Sequence, residues 1–133
     1  MSEQEDRLRQ HPTVRFLSPQ HRIDLKEVEA KLRAEPLPAS RNHRQETLYR
    51  HGAATVALFL FDRGAQMPQH VAEGVVTVHV LEGCLKMTVD RKSQTITAGQ
   101  LLVMAPGVRH DVYAQEHTRM LLTVCLESSK NPQ

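Results

Sequence analysis

The chain has no tryptophan and only five aromatic residues, two tyrosines and three phenylalanines, among its 133 positions. It has two cysteines, Cys84 and Cys125. They allow one disulfide at most, and their spacing matches neither a zinc site nor a catalytic thiol arrangement. Cys125 lies in the apolar run Leu121-Leu122-Thr123-Val124-Cys125-Leu126 and is expected as a small core residue, while Cys84 follows a turn glycine and is expected to be partly exposed. No apolar run approaches the ~18–20 residues of a membrane span. The opening Met1-Ser2-Glu3-Gln4-Glu5-Asp6 is acidic and polar, unlike the start of a secretory leader, so a cytoplasmic protein with reduced thiols is the expectation. Charge of one sign is missing too. Seventeen basic against fifteen acidic residues leave a net charge of +2, which gives no footprint for nucleic acid. The basic stretch Arg41–Arg50 is interrupted by Glu46 and has no aromatic platform beside it.

The length suits one domain with a core large enough to fold without disulfides or metal. Asp24 is placed to cap a helix through Leu25–Arg33, in which Leu25, Val28 and Leu32 form one apolar stripe. Pro36 and Pro38 end it. From Thr47 onward the pattern is one of strands. Ala54–Phe61 is almost continuously apolar, as in a strand buried on both faces in a sandwich or at a dimer contact. About seven short strands follow one another across polar or glycine turns, which points to an antiparallel sandwich or barrel and excludes an α/β alternation. The division read from the sequence is an arm with a short helix over residues 1–40, a barrel over residues 41–127 and a loose tail over residues 128–133.

Two segments carry the chemistry. Gly64, His70 and Gly83 recur at fixed distances in one, and Gly99, Gly107 and His110 in the other, each around an apolar strand pattern. This paired spacing resembles the two motifs of the cupin superfamily. The resemblance implies an all-β, antiparallel double-stranded β-helix, the RmlC-like jelly-roll barrel, with one short N-terminal helix. It also implies a metal held by three histidines and a glutamate inside the barrel. Alternation along a strand explains the family's His-x-His, because residues two apart face the same way.

The chain departs from that ligand set. Ala72 stands at the second histidine position and Val76 at the glutamate position, so His70 and His110 alone remain. His79 or Glu73 is a candidate third ligand. Strict alternation sets His79 on the face opposite Val76, and a bulge would be needed to re-aim it. Asp111 faces away from His110 by the same parity. With such a set, one divalent Fe, Mn, Ni or Zn ion is the candidate cofactor. Met67, Ala72, Val76, Val78, Met104 and Val112 are expected around the pocket, which would then be apolar with two imidazoles in it. Arg44 or Gln45 would join them if the first strand crosses the mouth. His11, His21, His43, His51 and His117 read as solvated, and Met67, Met87, Met104 and Met120 as packing residues.

Three functions follow. The first is a small-molecule-binding barrel acting through His70 and His110, with or without a divalent metal. The second is a metal-dependent enzyme of the dioxygenase, isomerase or decarboxylase class with a reduced ligand set. The third is a structural or assembly domain. The doubly apolar Ala54–Phe61 strand and the N-terminal arm favour a homodimer, and neither a membrane nor nucleic acid is an expected partner.

Overall fold

A computed structural model describes residues 19–36 and 42–127. The expected tail, most of the arm and the histidine His11 lie outside the described residues. Helix α1 spans Leu25–Arg33, and Asp24 caps it as the sequence predicts, its carboxylate accepting from the backbone N–H groups of Lys26 and Glu27 at 3.0 and 3.3 Å. The helix stops at Arg33, ahead of Pro36.

Nine strands follow: β1 (His43–His51), β2 (Ala54–Phe61), β3 (Gln66–Val71), β4 (Gly74–Glu82), β5 (Cys84–Val89), β6 (Lys92–Thr97), β7 (Leu101–Met104), β8 (Arg109–Ala114) and β9 (Thr118–Leu126). They form two antiparallel sheets, ordered β1-β2-β9-β4-β7 and β3-β8-β5-β6. The chain passes repeatedly from one sheet to the other, as in a jelly roll. Strand structure begins at His43, earlier than the apolar pattern at Thr47. β1 and β3 are edge strands, and edges accept the charges of β1 and the Pro68 of β3 that mask a strand pattern.

Between the sheets sits the core. Phe59, Phe61, Val76, Val78, Val80, Leu85, Met87, Met104, Val112 and Met120 are all buried there. The methionines pack as expected, with Met67 partly buried against the same cluster. The second apolar layer lies on the outer face of the five-stranded sheet. There Leu32 is buried against Leu48, Leu58 and Leu60, and Leu25 and Val28 pack beside it. This accounts for the doubly apolar β2: its inward residues meet the core and its outward ones meet α1. Its burial is satisfied within one chain, and no dimer contact is needed to explain it. Arg119 pins the helix to β9 through Glu29, at 2.9 Å. Burial by itself raises the Glu29 pKa, but the guanidiniums of Arg119 and Arg33 hold the carboxyl below its ordinary value.

Three side chains depart from their sequence reading. Cys125 is exposed, because Leu121, Thr123 and Cys125 share the outward face of β9 and α1 does not reach that far. His43 is not simply solvated: it is partly buried, with its ring 6.0 Å from Phe59 and 5.7 Å from Phe61. Arg44 lies opposite Leu60, on the helix-covered face, and donates to the Glu35 carbonyl at 3.1 Å rather than joining the pocket. Gln45 does face inward, opposite Phe59, and bonds to His43 at 3.2 Å.

Candidate functional site: a histidine pair on adjacent strands

β3 and β8 lie side by side, and His70 stands directly opposite His110. Regular alternation would set Met67 and His70 on opposite faces. The register shift between them adds one residue to β3, so both fall on the inward face, opposite Val112 and His110. Pro68 sits within the bulge, where a missing N–H costs no ladder bond. The motif's spacing therefore encodes a bulge as well as a strand.

The two imidazole rings lie 4.2 Å apart, centre to centre, inclined at 64°. His110 is 4% exposed, whereas His70 is exposed. In each ring Nδ1 bonds to the backbone carbonyl two residues earlier: His70 to Pro68 at 2.9 Å, His110 to Val108 at 3.1 Å. A carbonyl can only accept, so Nδ1 carries the proton in both rings. In the neutral form each Nε2 then keeps its lone pair for an outside donor or cation.

Burial lowers the pKa of His110 below the usual histidine value. The Val108 carbonyl and Asp111 work against that shift, and His70 adds to it. The folded state therefore prefers neutral His110, and the unfolded chain takes up the proton first as the pH falls. Stability is full above the unfolded pKa of about 6.5 and declines as the pH drops below it toward the folded pKa. In urea denaturation at pH 5 and pH 7.5, His110→Leu is expected to lose less stability on acidification than the wild type. An unchanged difference would mean that other groups carry the slope.

Among the expected pocket residues, Val76, Val78, Met104 and Val112 belong to the packed interior, each at most 5% exposed. Met67 and Ala72 pack against it while partly buried. Among the described residues neither candidate third ligand is brought together with the pair. His79 points to the outer face of β4, opposite Leu101 and Leu121, since β4 keeps strict alternation from Val76 to Val80. Glu73 is exposed in the two-residue β3–β4 connection. Among the described residues no group of three His, Cys, Asp or Glu side chains comes together that could hold a metal. Two imidazoles alone do not match the donor number of a tightly held transition metal. Asp111 faces away from the pair, as its parity predicts, and accepts from the Thr88 N–H at 2.8 Å.

One group near the pair escaped the sequence reading: Gln69, Arg91 and Arg109, which share a cavity with Asp90. Arg91 follows Asp90 in a polar turn, and nothing in its pattern distinguishes it from a solvated loop. The only advance signal was that Gln69 and Arg109 each precede a motif histidine.

No helix of the described residues is long and apolar enough to cross a membrane. A search of curated proteins found no match. Among solved structures, a conserved Streptococcus pyogenes protein of unknown function is 26% identical with a TM-score of 0.63, over 72% of this chain and 90% of its own. A cupin 2 conserved barrel domain protein from Leptotrichia buccalis is 25% identical with a TM-score of 0.65, over 77% of this chain and 47% of its own. A cupin superfamily protein from Desulfitobacterium hafniense shares the fold at 18% identity, with a TM-score of 0.63 over 71% and 93% of the two chains. The cupin domain family model matches residues 57–126, more than half of the chain. That span runs from the middle of β2 to the end of β9 and contains both histidine motifs, and the protein belongs to the cupin family.

Proposed function

We propose that this cupin binds a small molecule at the mouth of its barrel, with His70 and His110 as the polar contacts on an otherwise apolar floor. The observation that carries the reading is the pair of Nδ1 bonds to backbone carbonyls. Both rings are fixed in orientation, and both Nε2 atoms are left to accept from a ligand hydroxyl or amide. Burying His110 is costly for a polar group unless its ring nitrogens find partners, and a ligand donor at Nε2 would complete what the Val108 carbonyl does at Nδ1. The test is a thermal-shift screen of small metabolites with the full chain. A hit is expected to raise the wild-type midpoint and to leave His70→Ala and His110→Ala unmoved. A hit that stabilises all three proteins equally, or no hit across alcohols, acids, sugars and amines, would sink the idea.

A second reading keeps the metal-dependent enzyme in view. Anchoring of an imidazole Nδ1–H on a carbonyl is also how metal-ligating histidines are commonly oriented. Here Fe, Mn, Ni or Zn would have to find its remaining ligands in substrate or water. Elemental analysis of tag-free protein separates the two readings. The binding reading expects metal well below one per chain, and near-stoichiometric metal that disappears in His110→Ala favours the enzyme.

We also infer an assembly surface, at a place other than β2. Four strands end the two sheets. β1 carries Arg44, Glu46 and Arg50, β3 carries Pro68 and a bulge, and β6 carries Lys92 and a row of hydroxyls, all of which discourage further strand pairing. β7, Leu101-Leu102-Val103-Met104, has no such device. Leu101 and Val103 are 60% and 58% exposed, and they continue through Thr77 and His79 to Val75, Thr123 and Cys125. The strip holds no Asp, Glu, Lys or Arg, so two copies can meet there without burying like charges. Among the described residues no strand pairs with the outer edge of β7, so the β7 edges of two copies could add main-chain hydrogen bonds to this contact. A two-fold homodimer through β7 is the expected state. In sedimentation equilibrium at tens of micromolar, the wild type should be dimeric and Val103→Asp monomeric. A monomeric wild type, or a dimeric Val103→Asp, contradicts the assignment.

A further inference from the structure

β5 and β6 are joined by two residues alone, Asp90 and Arg91, and both have positive φ, 50° and 73°. A two-residue hairpin loop of this kind asks for left-handed backbone at both central positions, which glycine and asparagine take readily and arginine does not. The hairpin would close with less strain if residue 91 were glycine. Backbone strain of this sort, held by a rigid hairpin, is a reason to ask what the side chain does.

Arg91 lines a cavity of about 410 Å³ together with Gln69, Asp90, Gly107, Val108 and Arg109. Two arginines and one aspartate thus line the same cavity, and neither Arg91 nor Arg109 makes an ion pair among the described residues. The backbone N–H groups of Asp90 and Gly107 are already used, by the carbonyls of Arg109 and Ala72 at 2.9 Å each. The side chains left to meet a ligand are the two guanidiniums, the Gln69 amide and the Asp90 carboxylate, which together carry a net positive charge. Gln69 precedes His70 and Arg109 precedes His110 along the chain, and alternation along β8 turns Arg109, like Asp111, away from the pair.

We propose that this cavity is an oxyanion site, holding the carboxylate or phosphate group of a small acidic molecule between Arg91 and Arg109, with Gln69 as a further donor. A guanidinium presents paired N–H groups that match two oxygens of such an anion, and two of them outweigh the single Asp90 carboxylate. Neither histidine lines the cavity, so the site does not depend on the ligand reading of the pair.

The test is an amide NMR titration of the full chain with sodium succinate and, separately, with inorganic phosphate, against sodium chloride at matched ionic strength. Saturable shifts are expected at Gln69, Asp90, Arg91 and residues 107–109 with at least one of the two anions and not with chloride. The anion that saturates identifies the group recognised. Arg91→Gly is expected to weaken binding at least tenfold while keeping or raising the thermal midpoint, since glycine suits the turn better. Arg91→Asn gives the same reading should the glycine variant be less stable. Arg109→Gln is expected to weaken binding likewise. Shifts that never saturate, shifts that chloride reproduces, or wild-type affinity in both arginine variants would overturn the proposal.

Discussion

Gly83→Val is expected to cost about 4 kcal/mol or more and to leave little folded protein at 37 °C, because that loss approaches the whole stability of a small domain. Gly83 has φ 102°, which L side chains rarely adopt. A Cβ there would also run into the His117 carbonyl oxygen, and would come within 2.5 Å of the Thr118 hydroxyl oxygen. That backbone cannot yield cheaply. Thr118 is 3% exposed, accepts from the Cys84 N–H at 3.0 Å and donates to the Glu116 carbonyl at 2.9 Å, so moving it breaks buried bonds. Gly99 supplies the internal control. Its φ is 86°, but a Cβ there meets nothing within 4 Å, so Gly99→Ala should cost only the left-handed penalty of about 1–2 kcal/mol. Urea denaturation of the two variants measures the difference. Equal losses would mean that the close approach at Gly83 carries no energy beyond its dihedral angle.

Most of the fold was legible because two independent signals agreed. Gly64, Gly83 and Gly99 were read as turn positions, and all three have positive φ between 86° and 102°. Strict alternation in Val76, Val78 and Val80 put those residues inside and His79 outside, and β4 obeys it. Cys125 went wrong for a reason the chain itself cannot show. The apolar run Leu121–Leu126 has two equally apolar faces, and which one is covered depends on how far α1 extends across the sheet. β3 was invisible as a strand, since its sequence Gln66-Met67-Pro68-Gln69-His70-Val71 carries a proline and a bulge, and both are tolerated only because it is an edge. At the site, the two histidines could be found by counting, but their mutual geometry could not. It follows from the β3–β8 register, a pairing between segments about forty residues apart, and from a one-residue bulge that no alternation rule foretells. Arg91 was missed because its distinguishing property is a backbone angle.

Ala72→His with Val76→Glu is expected to raise the affinity for a divalent transition metal sharply. The positions are those at which the family resemblance places the two absent ligands, and the structure supplies the frame for both. Ala72 is two residues beyond His70 and packs against the core while partly buried. Val76 is 4% exposed on the inward face of β4, opposite Met104 and Val124. Each added ligand is worth several kcal/mol of binding free energy, so the affinity for Ni or Zn in titration calorimetry should rise by ~10³-fold or more. The same change should make folding depend on the metal. Without it, Val76→Glu puts a carboxylate in the core with no partner, at a cost of several kcal/mol unless it is protonated. With it, the charge is paired and the loss is largely recovered, so the double variant should melt far below the wild type in chelator and near or above it in saturating metal. The wild type should show little of this shift, having only His70 and His110 to offer. If the double variant binds no better than the wild type, Ala72 and Val76 do not face the pair, and the distinction between this chain and a four-ligand barrel lies in the shape of its interior rather than in two substitutions.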